Sequence, residues 1–127
     1  MKIERELMRG AAPLAVLTLL QNGEMYGYEL VKTLAKQTDG VLDLGQSTLY
    51  PMLYNLEAKG LVKSRMDKAD TGRPRKYYRL TGKGKKRLAK DRSQWEALSI
   101  ALGKLGVAGS FQEKRPSQYL PGAGGAA

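Results

Sequence analysis

Residues 47–60 read STLYPMLYNLEAKG, and this stretch decides the fold. Its apolar side chains recur at intervals of three and four residues, the spacing that places side chains on one side of an α-helix. They are Leu49, Met52, Leu53 and Leu56. Gly60 follows the last of them, and glycine often ends a helix. The stretch therefore predicts an amphipathic helix with a buried leucine stripe.

The opposite side of this helix is polar without being acidic. Ser47, Thr48 and Asn55 offer hydroxyl and amide groups, and Tyr50 and Tyr54 offer phenols. Such groups suit hydrogen bonds to base edges and phosphates, so we predict that these residues contact nucleic acid. Tyrosines also pack against neighbouring helices, and for Tyr50 and Tyr54 both interpretations stay open.

Two helices are predicted before this stretch and two strands after it. Residues 13–21, with Pro13 in the first turn, and residues 28–37 both have helical periodicity. Residues 61–66 and 75–80 alternate like strands and flank a turn-rich segment, which predicts a β-hairpin. The hairpin is basic on one face and at its tip. Its candidate phosphate-binding residues are Lys63, Arg65, Arg73, Arg75 and Lys76.

Three helices followed by a basic hairpin is the order of a winged helix-turn-helix. In that fold the third helix enters the major groove of DNA, and the hairpin, called the wing, touches the backbone or the minor groove. The predicted fold class is therefore mostly α with a small β-hairpin wing (α+β).

The charge distribution favours a nucleic-acid partner. The chain has a formal net charge of +10. From Lys59 to Arg92 there are fourteen Lys or Arg residues against three Asp, a net of +11, so this segment holds all of the excess. Such a concentrated positive field displaces counterions from a polyanion. Charge alone leaves two alternatives open, a solvated helix face and a patch for acidic lipids.

Composition excludes most catalytic chemistry. The chain has no cysteine and no histidine, so it lacks disulfides, thiolate zinc sites and nucleophile–histidine pairs. Residues 82–87 lack the pattern of a nucleotide-binding loop. We therefore predict neither an enzyme nor a metal or cofactor. The apolar run over residues 11–20 is too short for a membrane span, and we expect a cytoplasmic protein.

Three short motifs occur in a fixed order along the chain. They are YGYEL at 26–30, STLYPML at 47–53 with LEAKGLV at 56–62, and GRPRKYYRLT at 72–81. Together they resemble the PadR family of bacterial transcriptional regulators over roughly residues 10–105.

The resemblance implies a homodimer that binds a palindromic operator in double-stranded DNA, usually represses transcription, and releases the DNA when an effector binds. Tyr28 in the second helix is expected to pack rather than to touch a phosphate. The residues implied as DNA contacts are Ser47, Thr48, Tyr50, Asn55, Arg73, Arg75 and Lys76.

The segment after the hairpin predicts a dimerisation helix over residues 82–108, with Thr81 as its N-cap. Apolar side chains recur there at heptad-like intervals and form the predicted dimer interface. They are Leu88, Trp95, Leu98, Leu102 and Leu105. The other predicted parts are a winged-helix DNA-binding domain over 1–81 and a flexible Gly/Pro-rich tail over 109–127. A helix that packs only on its own domain is the alternative.

Trp95 is the sole tryptophan and lies on this predicted interface. Some drug-sensing relatives carry a tryptophan in the corresponding helix, where paired rings form an apolar pocket. By this resemblance Trp95 and Met8 are candidate pocket residues for a small aromatic or hydrophobic effector. Ordinary core packing of Trp95 is the alternative.

Two other functions are compatible with the same fold. A non-specific architectural DNA-binding protein would bind with strong salt dependence and little sequence preference. A winged-helix protein-interaction module would carry an acidic or neutral third helix and wing, whereas the wing of this chain is strongly basic. We therefore predict a sequence-specific regulator.

Overall fold

The computed structural model of the chain describes residues 1–107, so the tail predicted over 109–127 lies outside the described residues. The elements within this range follow in the order α1 (Arg5–Leu20), β1 (Met25–Tyr26), α2 (Gly27–Gln37), α3 (Gln46–Ala58), β2 (Val62–Lys68), β3 (Pro74–Leu80) and α4 (Gly82–Lys104). The predicted fold class, mostly α with a small hairpin wing, is confirmed. Over residues 1–107, every helix is too short or too polar to cross a membrane.

A leucine-rich core joins α1, α2, α3 and the hairpin. The stripe predicted on α3 is confirmed, because Leu49, Leu53 and Leu56 are buried and Met52 is half-buried. Burying these side chains removes apolar surface from water, which is the main stabilising contribution to such a small domain. The core residues are Ala12, Val16, Leu17, Leu19, Leu20, Leu30, Leu34, Leu44, Leu49, Leu53, Leu56, Leu61, Val62, Tyr78, Leu80 and Leu88.

Helix α1 is longer than the sequence predicts. It begins at Arg5, so Pro13 lies inside the helix. The prediction that Pro13 lies in the first turn is therefore wrong. The added turns are largely exposed, and they therefore lack the apolar periodicity from which the helix was predicted. Proline has no N–H, so the i→i−4 hydrogen bond at Pro13 is absent.

The sheet contains the predicted hairpin and one short strand that the sequence did not reveal. Strand β3 lies in the centre and pairs antiparallel with both β1 and β2. The hairpin turn is closed by hydrogen bonds from the amide of Ala69 to the carbonyl of Arg73, 2.9 Å, and from Gly72 to Ala69, 2.8 Å. Gly72 has a φ of +84°, a conformation that favours glycine.

Helix α4 begins in direct contact with the start of β2. The amide of Gly84 donates to Oγ1 of Thr81 at 2.9 Å, which confirms the predicted N-cap. The same hydroxyl donates to the carbonyl of Gly60 at 2.7 Å. A Cβ on Gly84 would lie 2.0 Å from the carbonyl oxygen of Leu61, so only glycine allows this approach.

The chain divides into two units, Met1–Asp91 and Arg92–Ala127. The first unit therefore extends to Asp91 and does not end at residue 81. Leu88 explains the difference, since it is only 1% exposed and belongs to the core of this unit. Its predicted place in a dimer interface is wrong, because a side chain buried within its own domain has no surface to offer a partner. In the second unit, α4 continues to Lys104.

Candidate nucleic-acid interface

The outward face of α3 has the composition that the sequence predicts for a DNA-reading surface. Ser47, Thr48, Tyr54 and Asn55 are all exposed, and the leucine stripe fixes them on the side away from the core. Tyr54 is 63% exposed. This surface presents hydroxyl and amide groups that can donate to or accept from base edges and phosphates.

Tyr50 is placed differently from the other predicted readers. It is half-buried and packs against the core. Its ring lies over Gly27 at the start of α2, where an added Cβ would be 2.5 Å from the Tyr50 hydroxyl oxygen. The structure thus supports the packing interpretation for Tyr50, because the missing side chain at Gly27 makes room for the ring between α2 and α3.

Tyr28 is also placed differently from the expectation. It is 46% exposed at the start of α2, and the ammonium of Lys32 lies 5.4 Å from its ring centroid. The expectation that Tyr28 packs is therefore wrong. Helical spacing did not distinguish the two outcomes, because a tyrosine at the edge of an apolar stripe fits either side.

The two faces of the hairpin carry different residues, and the strand register assigns them. Directly paired residues in an antiparallel ladder point to the same side of the sheet. Ser64 pairs with Tyr78, which is buried, and this side we call the inner face. Arg65 pairs with Tyr77 on the other side, which we call the outer face. The outer face also holds Lys63, Arg75 and Arg79.

Lys76 on the inner face connects the wing to α3. Its ammonium lies 3.8 Å from a carboxylate oxygen of Glu57 and 5.1 Å from the ring centroid of Tyr54. Glu57 also accepts a hydrogen bond of 2.6 Å from the hydroxyl of Ser64. Of the predicted wing residues, Lys76 is therefore the one placed beside the exposed face of α3. Sequence reasoning missed Glu57, although an acid near the end of a helix followed by a basic hairpin was the available signal.

Arg65 on the outer face is held by two acids. Its guanidinium donates to both carboxylate oxygens of Glu24, at 3.0 Å in the Nε contact, and to Asp67 at 2.7 Å. The guanidinium lowers the pKa values of Glu24 and Asp67, and the two carboxylates raise the pKa of Arg65, in each case chiefly through the side-chain hydrogen bonds. The prediction of a phosphate contact did not include these partners, and Glu24 is too far along the chain for local patterns to reveal it.

Two further outer-face residues differ from each other in their surroundings. Arg75 is half-buried, with its guanidinium carbon 4.2 Å from the ring centroid of Tyr26, which is cation–π distance. Lys63 is exposed. Arg75, Lys63 and Arg65 all lie on the side of the sheet away from α3. The structure therefore does not bring these three cations together with the exposed face of α3.

Arg73 lies at the tip of the wing. It is exposed and lines a shallow open concavity with Thr71, Gly72, Pro74 and Arg75. Over residues 1–107 Arg73 makes no ion pair. The tip therefore presents a cation that can enter a groove or contact a phosphate.

Of the predicted dimer-interface residues beyond Leu88, Trp95, Leu98 and Leu102 lie on the second half of α4, and Leu105 lies in the turn that follows it. Trp95 is 45% exposed, Leu98 is 49% exposed, and Leu105 is more exposed than either, while Leu102 is half-buried. Ile100, which the sequence analysis did not include, is exposed as well. Met8, the other predicted pocket residue, is half-buried and packs on the core of the first unit.

Comparison with known proteins gives one consistent family. The model of the transcriptional regulator PadR-like family matches residues 16–90. Transcriptional regulator Rv3488 of Mycobacterium tuberculosis is 37% identical over 95 residues, which cover 75% of this chain and 85% of that protein.

Solved structures agree with the sequence match. A PadR family transcriptional regulator from Eggerthella lenta is 41% identical with a TM-score of 0.70, and the match covers 79% of this chain and 85% of that one. A transcriptional regulator from Clostridium thermocellum is 32% identical with a TM-score of 0.73, over 80% of this chain and 96% of that one.

Proposed function

The chain belongs to the PadR-like family of transcriptional regulators, and on this premise we propose that it binds a palindromic operator as a homodimer through α3 and the wing. Proteins of this family regulate transcription and are not enzymes.

The exposed face of α3 is the observation that carries this proposal. Ser47, Thr48 and Asn55 are the proposed base or phosphate contacts, with Tyr54 beside them. Lys76 reaches this face from the inner side of the wing, and Arg73 extends it at the tip. This arrangement matches the groove-reading helix and backbone-contacting wing of winged helices.

A second copy of the chain is proposed to cover the second half of α4. Trp95, Leu98 and Leu105 are large apolar side chains left exposed in the single chain. A symmetric dimer would bury them and would place two α3 helices for the two halves of a palindrome. Leu98→Lys is expected to give monomers, measured by light scattering, that bind the operator far more weakly. A dimeric Leu98→Lys protein with full operator affinity would contradict this assignment.

Repression released by an effector is the remaining part of the proposal. We assign Trp95, with Met8 contributed by the other copy of the dimer, to a pocket for a small aromatic or hydrophobic molecule. Because Trp95 is the only tryptophan, its fluorescence reports on this pocket alone. Quenching by planar aromatics together with release of DNA supports the pocket, and unchanged fluorescence across a panel of such compounds overturns it.

The decisive experiment is a fluorescence-anisotropy titration against the DNA upstream of the protein's own gene, with scrambled DNA as control, at two salt concentrations. With some 6 to 10 phosphates neutralised per dimer, affinity is expected to fall by about 10³ to 10⁵ between about 50 and 200 mM salt. Binding at least about a hundredfold tighter than to the scramble supports a specific regulator. Equal binding favours the architectural protein, and no binding favours the protein-interaction module.

Asn55 tests whether α3 reads bases. Asn55→Ala is expected to relax specificity by about 1–3 kcal/mol at one base position, because an amide can make two hydrogen bonds to adenine. The measurement compares operators changed one base pair at a time. Asn22→Ala removes an exposed asparagine in the loop after α1 and serves as the matched control. An Asn55→Ala protein with unaltered operator preference removes Asn55 from the readers.

A further inference from the structure

The first turns of α4 carry a strip of cations that the proposed operator interface does not use. Lys83, Lys86, Arg87 and Lys90 fall within an arc of about 100° around the helix, at 3.6 residues per turn. All four are exposed, and they lie away from the side on which Leu88 is buried. We call these four residues the α4 strip.

The α4 strip is unfavourable for the helix that carries it. Lys83 lies in the first turn, which contains no acid, and the positive end of the helix dipole repels a cation there. Lys86 and Lys90 are four residues apart and repel each other. Arg87 pairs with Asp91 at 3.1 Å, whereas Lys83, Lys86 and Lys90 make no ion pair with any residue in 1–107. A bound polyanion would offset this repulsion.

The α4 strip begins beside the end of α3. Thr81, just before α4, bonds to the carbonyl of Gly60, just after α3. The side chain of Lys83 passes close to Gly60, with its Cδ 3.7 Å from the position a Cβ would take there. The 13 residues of α3 span about 20 Å, which exceeds the roughly 12 Å width of the major groove, so a DNA backbone that borders the groove passes near the end of the helix. Its nearest flanking phosphates are therefore candidates for contact with these lysines.

We propose that Lys83, Lys86 and Lys90 bind the phosphate backbone of double-stranded DNA outside the base pairs that α3 reads. This inference rests on the proposed function and extends its DNA footprint. The lysines are about 4.5 and 6 Å apart along the helix axis, one to two steps of a DNA strand at about 3.4 Å per step. Contacts of this kind add affinity and salt dependence without adding sequence preference.

The test uses a variant with Lys83→Gln, Lys86→Gln and Lys90→Gln, because glutamine keeps the helix propensity of lysine. Binding is measured against two duplexes, one limited to the palindrome and one with about ten base pairs added on each side. On the long duplex, the slope of log affinity against log salt is expected to fall by about one for each lysine that contacts a phosphate. On the short duplex the slope stays that of the unmodified protein.

A control variant with Lys36→Gln and Lys104→Gln, which changes exposed lysines in the last turns of α2 and α4, is expected to leave both slopes unchanged. The melting temperature of the triple variant should equal or exceed that of the unmodified protein, and its oligomeric state should be the same. These two measurements separate lost DNA contacts from lost folding. An equal change of the slope on both duplexes, or no change on either, overturns the proposal that the α4 strip binds flanking phosphates. Failure of the proposed function looks different, since the unmodified protein would then show no preference for the palindrome over scrambled DNA.

Discussion

The wing and the first turns of α4 are both rich in arginine and lysine, but their cations have different neighbours. On the outer face of the wing, Arg65 is held by Glu24 and Asp67, and Arg75 lies against the ring of Tyr26. On α4, Lys83 and Lys86 are exposed and make no ion pair within residues 1–107. Arg65 and Arg75 therefore stabilise the hairpin, whereas Lys83 and Lys86 remain available for a ligand.

This difference shows that the number of cations in a segment does not give the number available to DNA. Glu24 and Arg65 are 41 residues apart in the chain and meet only because β1 pairs with β3 beside β2. A cation already bound to carboxylates gains less from a phosphate, because the new contact replaces an existing one. Arg73, which makes no ion pair within residues 1–107, is accordingly the wing residue that we expect to contribute most to binding.

The junction between the two regions is the most sensitive point of the structure. Gly84→Ala places a methyl group 2.0 Å from the carbonyl oxygen of Leu61, so α4 must move away from the start of β2. The Thr81 hydrogen bonds at this junction are then disturbed. We expect a loss of about 3 kcal/mol or more in the free energy of unfolding, measured by denaturant titration.

Gly82→Ala is the control for this substitution. Gly82 is also in the first turn of α4, but apart from its chain neighbours and the helix's own backbone no described atom lies within 4 Å of the position a Cβ would take. Alanine favours the helix, so the change should be neutral or stabilise by up to about 1 kcal/mol. Similar losses for Gly82→Ala and Gly84→Ala would mean that the close approach to Leu61 is not the cause.

Arg73 and Arg65 test whether an arginine without an ion pair contributes more to DNA binding than an arginine that is paired with carboxylates. Arg73→Met is expected to weaken binding to all DNA sequences alike and to lower the salt slope by about one per subunit. Arg65→Met is expected to leave the slope unchanged and to lower stability, because its partners are Glu24 and Asp67. Anisotropy titrations at several salt concentrations measure both. A slope that falls only with Arg65→Met would reverse the assignment.

Much of the fold was predictable because its signals are local. The spacing of the α3 leucines, the turn residues of the wing and the cap at Thr81 each follow from a few neighbouring residues. Periodicity also identified the exposed face of α3 correctly for Ser47, Thr48 and Asn55. These features depend on helix and strand geometry alone.

The features that escaped prediction depend on contacts between distant segments. Tyr50 turns inward because Gly27 in another helix leaves room for its ring. Leu88 has the spacing of an interface residue, yet the close approach at Gly84 draws it into the core. Arg65 meets an acid from the other end of the sheet. Sequence spacing says which side of an element a residue is on, and it does not say what covers that side.

A smaller effect should distinguish the lysines of α4 from the arginines of the wing by stability alone. Lys83→Gln removes a cation from the positive end of the helix dipole and should stabilise the protein by about 0.3–1 kcal/mol at low salt. The gain should shrink as salt is added, because exposed charges are screened. Thermal unfolding at low and high salt measures this, with Lys104→Gln at the opposite end of α4 as control, where the sign should reverse. A destabilised Lys83→Gln would place Lys83 among the structural cations.

The smallest predicted effect is the acid response of the outer face of the wing. Because Arg65 lowers the pKa values of Glu24 and Asp67 in the folded protein, the stability they contribute is present above their usual values of 4.5 and 3.8. It is lost as pH falls through the lowered values, so the free energy of unfolding should decline as the pH falls below about 5. Arg65→Gln should make this decline shallower, because it removes the largest cause of both lowered pKa values. Arg9→Gln, which removes the exposed pair with Glu6, should leave it unchanged. Denaturant unfolding at stepped pH measures the slope, and equal slopes for Arg65→Gln and the unmodified protein would show that the outer-face arginine is as free as the lysines of α4.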